Sequence, residues 1–341
     1  MSKFTPTIKR VEPKSQGKQS QLKLGAQLLK EKRFEEAEAE FTAFIRENPT
    51  SLRGNLALGN LKYRTKDYEE ALDYYKTAIR LDPAKTPGYL RAARVYLKQN
   101  QPDNALEQFN NVLKLDPKSF IAYVGMGYVY FVKSEYEQAV NYFSKAIKLN
   151  PRSPMARLRL ALTFIRMEKL SEAVAQINSA VRIEPQNPQA YAALGQIYLQ
   201  RKEYPAAVET FQLSAQQKPE MSASTRFGLV EALIQCEQLE EAEEILTQMP
   251  ETEKFAVVRH KLWGDIYHRQ GLFREATEEY NAAKLLNSED GAELNELENI
   301  DFLLEEDDLE WEKLAGKYKA STNNMLSDMR SQSLLRIKSN N

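Results

Sequence analysis

Leu52–Lys85 reads LRGNLALGNLKYRTKDYEEALDYYKTAIRLDPAK, and this stretch decides the fold. Leu58 and Leu61 fall at helical spacing, and Leu72, Tyr75, Ala78 and Ile79 do so again after a polar break. The Asp82-Pro83 pair ends the second run, because proline lacks an N–H and disfavours helix in the residue before it. Gly59, Ala71 and Ala78 are small where two such helices would cross, so the backbones can approach closely. The stretch therefore predicts a helix–turn–helix unit. One unit cannot cover its own apolar faces, so it must stack on others.

The rest of the chain supplies the others. Ala37, Ala71, Ala105, Ala139, Ala173 and Ala207 recur every 34 residues. In step with them run Phe41, Tyr75, Phe109, Phe143, Ile177 and Phe211, and the prolines Pro49, Pro83, Pro117, Pro151, Pro185 and Pro219. One residue is inserted after Pro219, and the phase resumes at Ala242/Leu246 and Ala276/Tyr280. The expected organisation is a flexible basic arm (1–17), then eight units at 18–51, 52–85, 86–119, 120–153, 154–187, 188–222, 223–256 and 257–290. Pro250 should cut the second helix of the seventh unit short. Acidic capping helices (291–320) and a basic flexible tail (321–341) follow. The fold class is all-α, an α-α superhelix of stacked hairpins.

Among 341 residues, 42% are hydrophobic and 28% charged, with only 13 Gly and 14 Pro, which favours helices over sheets. The net charge of -1 gives too weak a whole-molecule field to gather nucleic acid or an anionic membrane. The single Cys236 excludes an internal disulfide framework and fits a reducing compartment. The first residues, MSKFTPTIKRVEPKSQGK, lack an apolar core for a secretory signal, and no run is apolar enough to span a bilayer. A cytoplasmic location is expected.

Unit 52–85 resembles the consensus of the tetratricopeptide-repeat family, and Trp263-Gly264 and Tyr267 match that family's Trp/Leu-Gly-Tyr positions. The resemblance covers roughly 18–290, with departures at Ala93, Ala161 and Val230. It implies a solenoid whose first helices line a concave protein-binding groove, with unit positions 2, 5, 6, 9, 12 and 13 pointing inward. Those positions hold Arg53, Tyr63, Arg64, Arg91, Arg94 and Lys98, with no acid among them, then Ile121, Val124, Tyr128, Phe131 and Val132. Unit five adds Met155, Leu158, Arg159, Leu162, Ile165 and Arg166, and later units offer Glu231 and Asp265. Leu158 and Ile165 also suit packing between adjacent first helices. Arg91, Arg94 and Arg159 are expected to be exposed, because burying a charge without a partner is costly. The Lys/Asn pattern by which such repeats hold acidic chaperone tails is absent: units two to four place Leu56/Asn60, Arg91 and Ile121/Gly125 there.

Candidate chemistry is sparse. His260 and His268 lie eight apart, and no third or fourth ligand follows at helical spacing, so both read as helix surface. Cys236 reads as a small hydrophobe at a helix end, and Gly125-Met126-Gly127 lies inside a predicted helix, not after a strand. No catalytic residue, cofactor or metal is assigned. The expected function is a non-enzymatic scaffold or assembly factor binding a partner's acidic segment with hydrophobic anchors; nucleic acid is not expected, membrane contact is at most peripheral, and a homo-oligomer is compatible with open solenoid ends. Residues 289–312 contain no Lys or Arg, which raises an alternative: an adaptor whose acidic C-terminal hairpin competes for its own groove. A third class docks an RNA or membrane machine through the basic arms at 1–18 and 317–338.

Overall fold

A computed structural model describes residues 15–217, 221–249, 252 and 255–290. The expected arm up to residue 14, the capping helices (291–320) and the tail (321–341) lie outside the described residues. Sixteen helices and no strand occur among the described residues. The first compact unit, ending at Lys133, holds α1 (Ser15–Lys30), α2 (Phe34–Glu47), α3 (Leu52–Arg64), α4 (Tyr68–Leu81), α5 (Thr86–Lys98), α6 (Pro102–Leu115) and α7 (Phe120–Val132). The second, from Ser134, holds α8 (Tyr136–Leu149), α9 (Pro154–Arg166), α10 (Leu170–Ile183), α11 (Pro188–Gln200), α12 (Tyr204–Gln217), α13 (Ala223–Gln235), α14 (Leu239–Gln248), α15 (Ala256–Arg269) and α16 (Phe273–Asp290).

Most odd helices open on a device that the sequence supplies. Ser51, Ser119, Ser153, Asn187 and Ser222 are N-caps whose side chains accept from the backbone N–H three residues on. Tyr89, Tyr123 and Tyr191 donate their hydroxyls to the carbonyls of Pro83, Pro117 and Pro185, so the helix-ending proline is tied to the helix that follows. The turn from odd to even helix needs a left-handed residue every time: Lys32, Lys66, Asn100, Ser134, Glu168, Lys202 and Glu237 all have φ between 54° and 69°, and Gly271 has φ 79°. Only the last turn uses the residue that adopts this conformation without strain.

Within both units the crossing between paired helices is set by a small residue under an aromatic one. A Cβ added at Gly25, Gly59, Gly195 or Gly264 would come within 2.4–2.7 Å of Phe41, Tyr75, Phe211 or Tyr280 respectively. Phe41, Tyr75 and Phe211 are buried in the core with the alanines beside them, such as Ala37, Ala71 and Ala105, which are fully buried. The helix before Pro250 is indeed short, ten residues in α14 against fourteen in α12. Val230, where the repeat usually has a small residue, is fully buried among Phe227, Leu233 and Leu246.

Candidate protein-binding face

The predicted inward positions divide sharply once the helices pack. In the first unit Tyr63, Ile121, Val124 and Phe131 are buried, and so are Leu158, Leu162 and Ile165 in the second. These residues come from positions 2, 5, 9 and 12 of their repeats, and positions 5 and 12 are buried in every repeat just named. The expectation that Tyr63, Ile121, Val124 and Phe131 are presented as groove contacts is therefore corrected to packing residues. Arg159 corrects a second expectation, since it is only 4% exposed. The reason lies in its place at position 6: Gly125 and Gly228 occupy that position elsewhere, and each lies directly over an aromatic of the preceding even helix, Phe109 and Phe211. A side chain there points at a neighbouring helix. Leu158 and Ile165 follow the packing alternative.

What remains accessible is basic. Arg53 and Lys98 are exposed, and Arg64, Arg91, Arg94, Tyr128 and Arg166 are half-buried. Several of these guanidinium groups are held by the first unit itself. Arg91 donates from Nε to Asn60 Oδ1 (2.8 Å) and from Nη1 to the Pro87 carbonyl (3.3 Å). The Tyr75 hydroxyl donates to the same Asn60 oxygen at 2.9 Å, so one amide ties together α3, α4 and α5. Arg94 lies 5.0 Å from the Tyr63 ring centroid, a cation–π distance. Arg64 reaches back to the Leu29 carbonyl of α1 (3.3 Å).

Charge is sorted by helix parity. Helices α1, α3 and α5 carry nine Lys and Arg and no Asp or Glu. Helices α2 and α4 carry Glu35, Glu36, Glu38, Glu40, Glu47, Glu69, Glu70 and Asp73 against Arg46, Lys76 and Arg80, and are net acidic. Lys62 stands at the junction of the two sets: its Nζ bridges Glu38 (2.8 Å) and Glu70 (3.0 Å), and the Glu38 hydrogen bond leads in holding its pKa above the ordinary lysine range. Its charge is met by two carboxylates, and eight other basic residues stand on those three helices.

The second unit differs. Arg157 is turned to the Pro151 carbonyl (3.0 Å) and Gln176 (3.3 Å), Glu231 is exposed, and Asp265 accepts from the Tyr280 hydroxyl (2.7 Å). His260, expected at the helix surface, is instead half-buried with Nδ1 2.6 Å from Glu279. His268 is exposed, edge-on to Phe273. Cys236 caps α13 and packs half-buried against the core, which raises its thiol pKa by desolvation. Among the described residues no cluster of three or more His, Cys, Asp or Glu could hold a metal, and no helix is long and apolar enough to cross a membrane.

Sequence comparison agrees with the helix pairs. A family profile described as tetratricopeptide repeat matches residues 22–85 and 90–154, and a second profile of the same description matches 133–197 and 198–259. Together they span more than half of the chain. No curated protein matches in sequence. Among solved structures, the APC/C hetero-tetramer Cut9–Hcn1 aligns over 86% of this chain and 57% of its own, at 16% identity and TM-score 0.61. A tetratricopeptide repeat protein from Parabacteroides merdae aligns over 84% and 98%, at 18% identity and TM-score 0.51. Pseudomonas aeruginosa pilF aligns over 58% and 89%, at 19% identity and TM-score 0.51. At these identities the likeness concerns the fold.

Proposed function

We propose, for a chain that belongs to the tetratricopeptide-repeat family, a function as a non-enzymatic protein-interaction scaffold that holds an acidic segment of a partner on the first unit. The family supports the scaffold. The observation that carries the acidic segment is the absence of any carboxylate from α1, α3 and α5, which hold eight basic residues besides Lys62. Arg is well suited to such a ligand, because its planar fork can grip a carboxylate at two points. The buried Tyr63, Val124 and Phe131 remove the hydrophobic anchors expected from the sequence. Half-buried Tyr128 and exposed Val132 on α7 remain for that role.

The structure changes which residues test this reading. Reversing Arg91 would break its bonds to Asn60 and Pro87, confusing binding with packing. Arg53 and Lys98 are exposed, so R53E/K98E leaves the core intact. The double variant should weaken binding of an oligoglutamate peptide by about tenfold or more and flatten its salt dependence, with unchanged thermal unfolding. Equal binding by parent and variant overturns the reading, as does tighter binding of single-stranded RNA than of the peptide.

A second reading, the self-occluding adaptor, is favoured by one observation: residues 289–312 hold twelve Asp and Glu and no Lys or Arg. In that reading the chain's own acidic segment competes for the basic helices until a partner displaces it. An assembly role and a cytoplasmic location are natural settings for either reading.

A further inference from the structure

The first unit carries two ladders of charge with one period. Position 13 of its first three repeats is basic: Lys30, Arg64 and Lys98 end α1, α3 and α5. Position 18 of the same repeats is acidic: Glu35, Glu69 and Asp103 stand in the first turns of α2, α4 and α6. Four residues further on, at position 22, α4 and α6 add Asp73 and Glu107. All five carboxylates are exposed, and so are Lys30 and Lys98.

Both ladders repel themselves within the chain. Glu69 and Asp73 stand four apart on α4, Asp103 and Glu107 four apart on α6, and Arg94 and Lys98 four apart on α5. Like charges at that spacing destabilise a helix. Relief from neighbouring repeats reaches only position 18: Glu69 accepts from Gln99 Nε2 at 3.0 Å, and Asp103 pairs with Lys133 at 3.0 Å. Asp73 and Glu107 meet no cation among the described residues.

A ligand for this ridge must be basic, and its charges must recur at the interval between consecutive repeats. The basic ladder of a second copy meets both conditions, because the same repeats carry both ladders and the two intervals are one. No such match is imposed on an unrelated basic partner.

We propose that the basic face of α1, α3 and α5, when no partner occupies it, holds the acidic ridge of α4 and α6 from a second copy. The proposal rests on the reading that this face takes acidic ligands, and it names a second copy as one of them. The contact uses the faces of the repeats and not the open ends of the array. The two faces differ, so the pairing is head-to-tail and leaves one of each unused, which extends the assembly past two copies. A partner's acidic segment and a second copy compete for one face, so binding of the partner disperses the assembly.

The test is sedimentation velocity of the full chain at about 20 mM and about 0.5 M salt. It compares the parent with R53E/K98E on the basic face and D73K/E107K on the ridge, four exposed side chains whose exchange leaves the core intact. The parent should associate beyond a dimer at low salt, about tenfold or more weakly at high salt. Each variant alone should remain monomeric, since each lacks one of the two faces. An equimolar mixture of the two variants should regain association, because the intact ridge of one meets the intact basic face of the other. Saturating oligoglutamate should disperse the parent's assemblies. A parent monomeric at low salt overturns the proposal, as do variants that associate like the parent, a mixture that stays monomeric, or assemblies that persist in the peptide. A parent that binds oligoglutamate yet never self-associates loses this proposal and keeps the acidic-ligand reading.

Discussion

Replacing Gly59 by alanine tests how the helix pairs hold together. In most exposed helices the change stabilises by about 1 kcal/mol, because glycine loses more backbone entropy on folding. Here the added Cβ would lie 2.4 Å from Tyr75 Cε1 and 2.7 Å from Cδ1, closer than any real contact. The ring must move, and its freedom is limited: its hydroxyl is bonded to Asn60 at 2.9 Å, and Asn60 also holds Arg91 at 2.8 Å. Overpacking a rigid site costs about 1–3 kcal/mol, so after the helix gain Gly59→Ala should destabilise the first unit by up to about 2 kcal/mol. Repeat three shows the way out. It carries Ala93 at the same position, fully buried, and its position-24 residue is Phe109, which has no hydroxyl to tether. The double variant G59A/Y75F should therefore be less destabilised than the sum of the single changes, with a coupling of about 0.5 kcal/mol or more. Stacked repeats open locally, so amide exchange in α3 and α4 is the proper assay, with urea unfolding as a check. A Gly59→Ala chain more stable than its parent would refute the steric argument, and strict additivity would refute the tether.

Two other outcomes follow from the turns and from the last repeat. Lys202, at φ 60°, sits in a conformation that costs a non-glycine residue about 1–2 kcal/mol, so Lys202→Gly should stabilise the second unit by about 0.5–1 kcal/mol net of unfolded-state entropy, read by thermal unfolding. Partial burial, helped by the bond to Asp265, pushes the Tyr280 phenol up to about 12. Its contribution to stability is full below the ordinary tyrosine value of about 10 and is lost as pH rises through the folded value. Asp265→Asn should bring that titration down toward the ordinary value, seen as a Y280F-sensitive change in phenolate absorbance, and an unmoved curve would discard the role of the carboxylate.

The helices were legible because three residue series recur at one spacing, and each series has its own physical part in the fold. Ala71 sits at the crossing, Tyr75 fills the core, and Pro83 ends the helix. Helix starts at Leu52, Thr86, Phe120, Pro154, Pro188 and Ala223 follow from caps and prolines visible in the sequence. The candidate site was legible only in part. A repeat position reports which way a side chain leaves its helix, but its exposure depends on how closely the next helix stands. Tyr63, Val124 and Phe131 are buried where the helices pack, and Arg159 sits at a position that faces a neighbouring helix, whereas Arg53 and Lys98 lie at the ends of their helices and are exposed. Asn60 is read in the sequence only as a position of the absent chaperone-tail pattern; its distances to Arg91 and Tyr75, from 31 and 15 residues away, give it a structural role. The left-handed turn residues had a signal in hand, the 34-residue beat from Lys32 to Gly271, but their varied identities hid it.

Net charge misleads for this architecture. A value of -1 reads as a molecule without a field, yet within the first unit α1, α3 and α5 carry only basic charge while α2 and α4 are net acidic. In the first unit the odd helices are wholly free of carboxylates, and the acids stand on the even helices and in the loops. Because opposite charges on one helix pair are separated by its width, and screening acts over about 8–10 Å, each layer presents its own sign to a ligand that approaches it. Under the proposed function such a surface selects by orientation: an acidic segment would be drawn to the odd helices of the first unit rather than to α2 and α4. Lys62, bridging carboxylates from α2 and α4, shows where the two layers touch. Converting it to methionine should leave oligoglutamate binding unchanged while releasing Glu38 and Glu70, whereas R53E/K98E should weaken that binding without touching the junction.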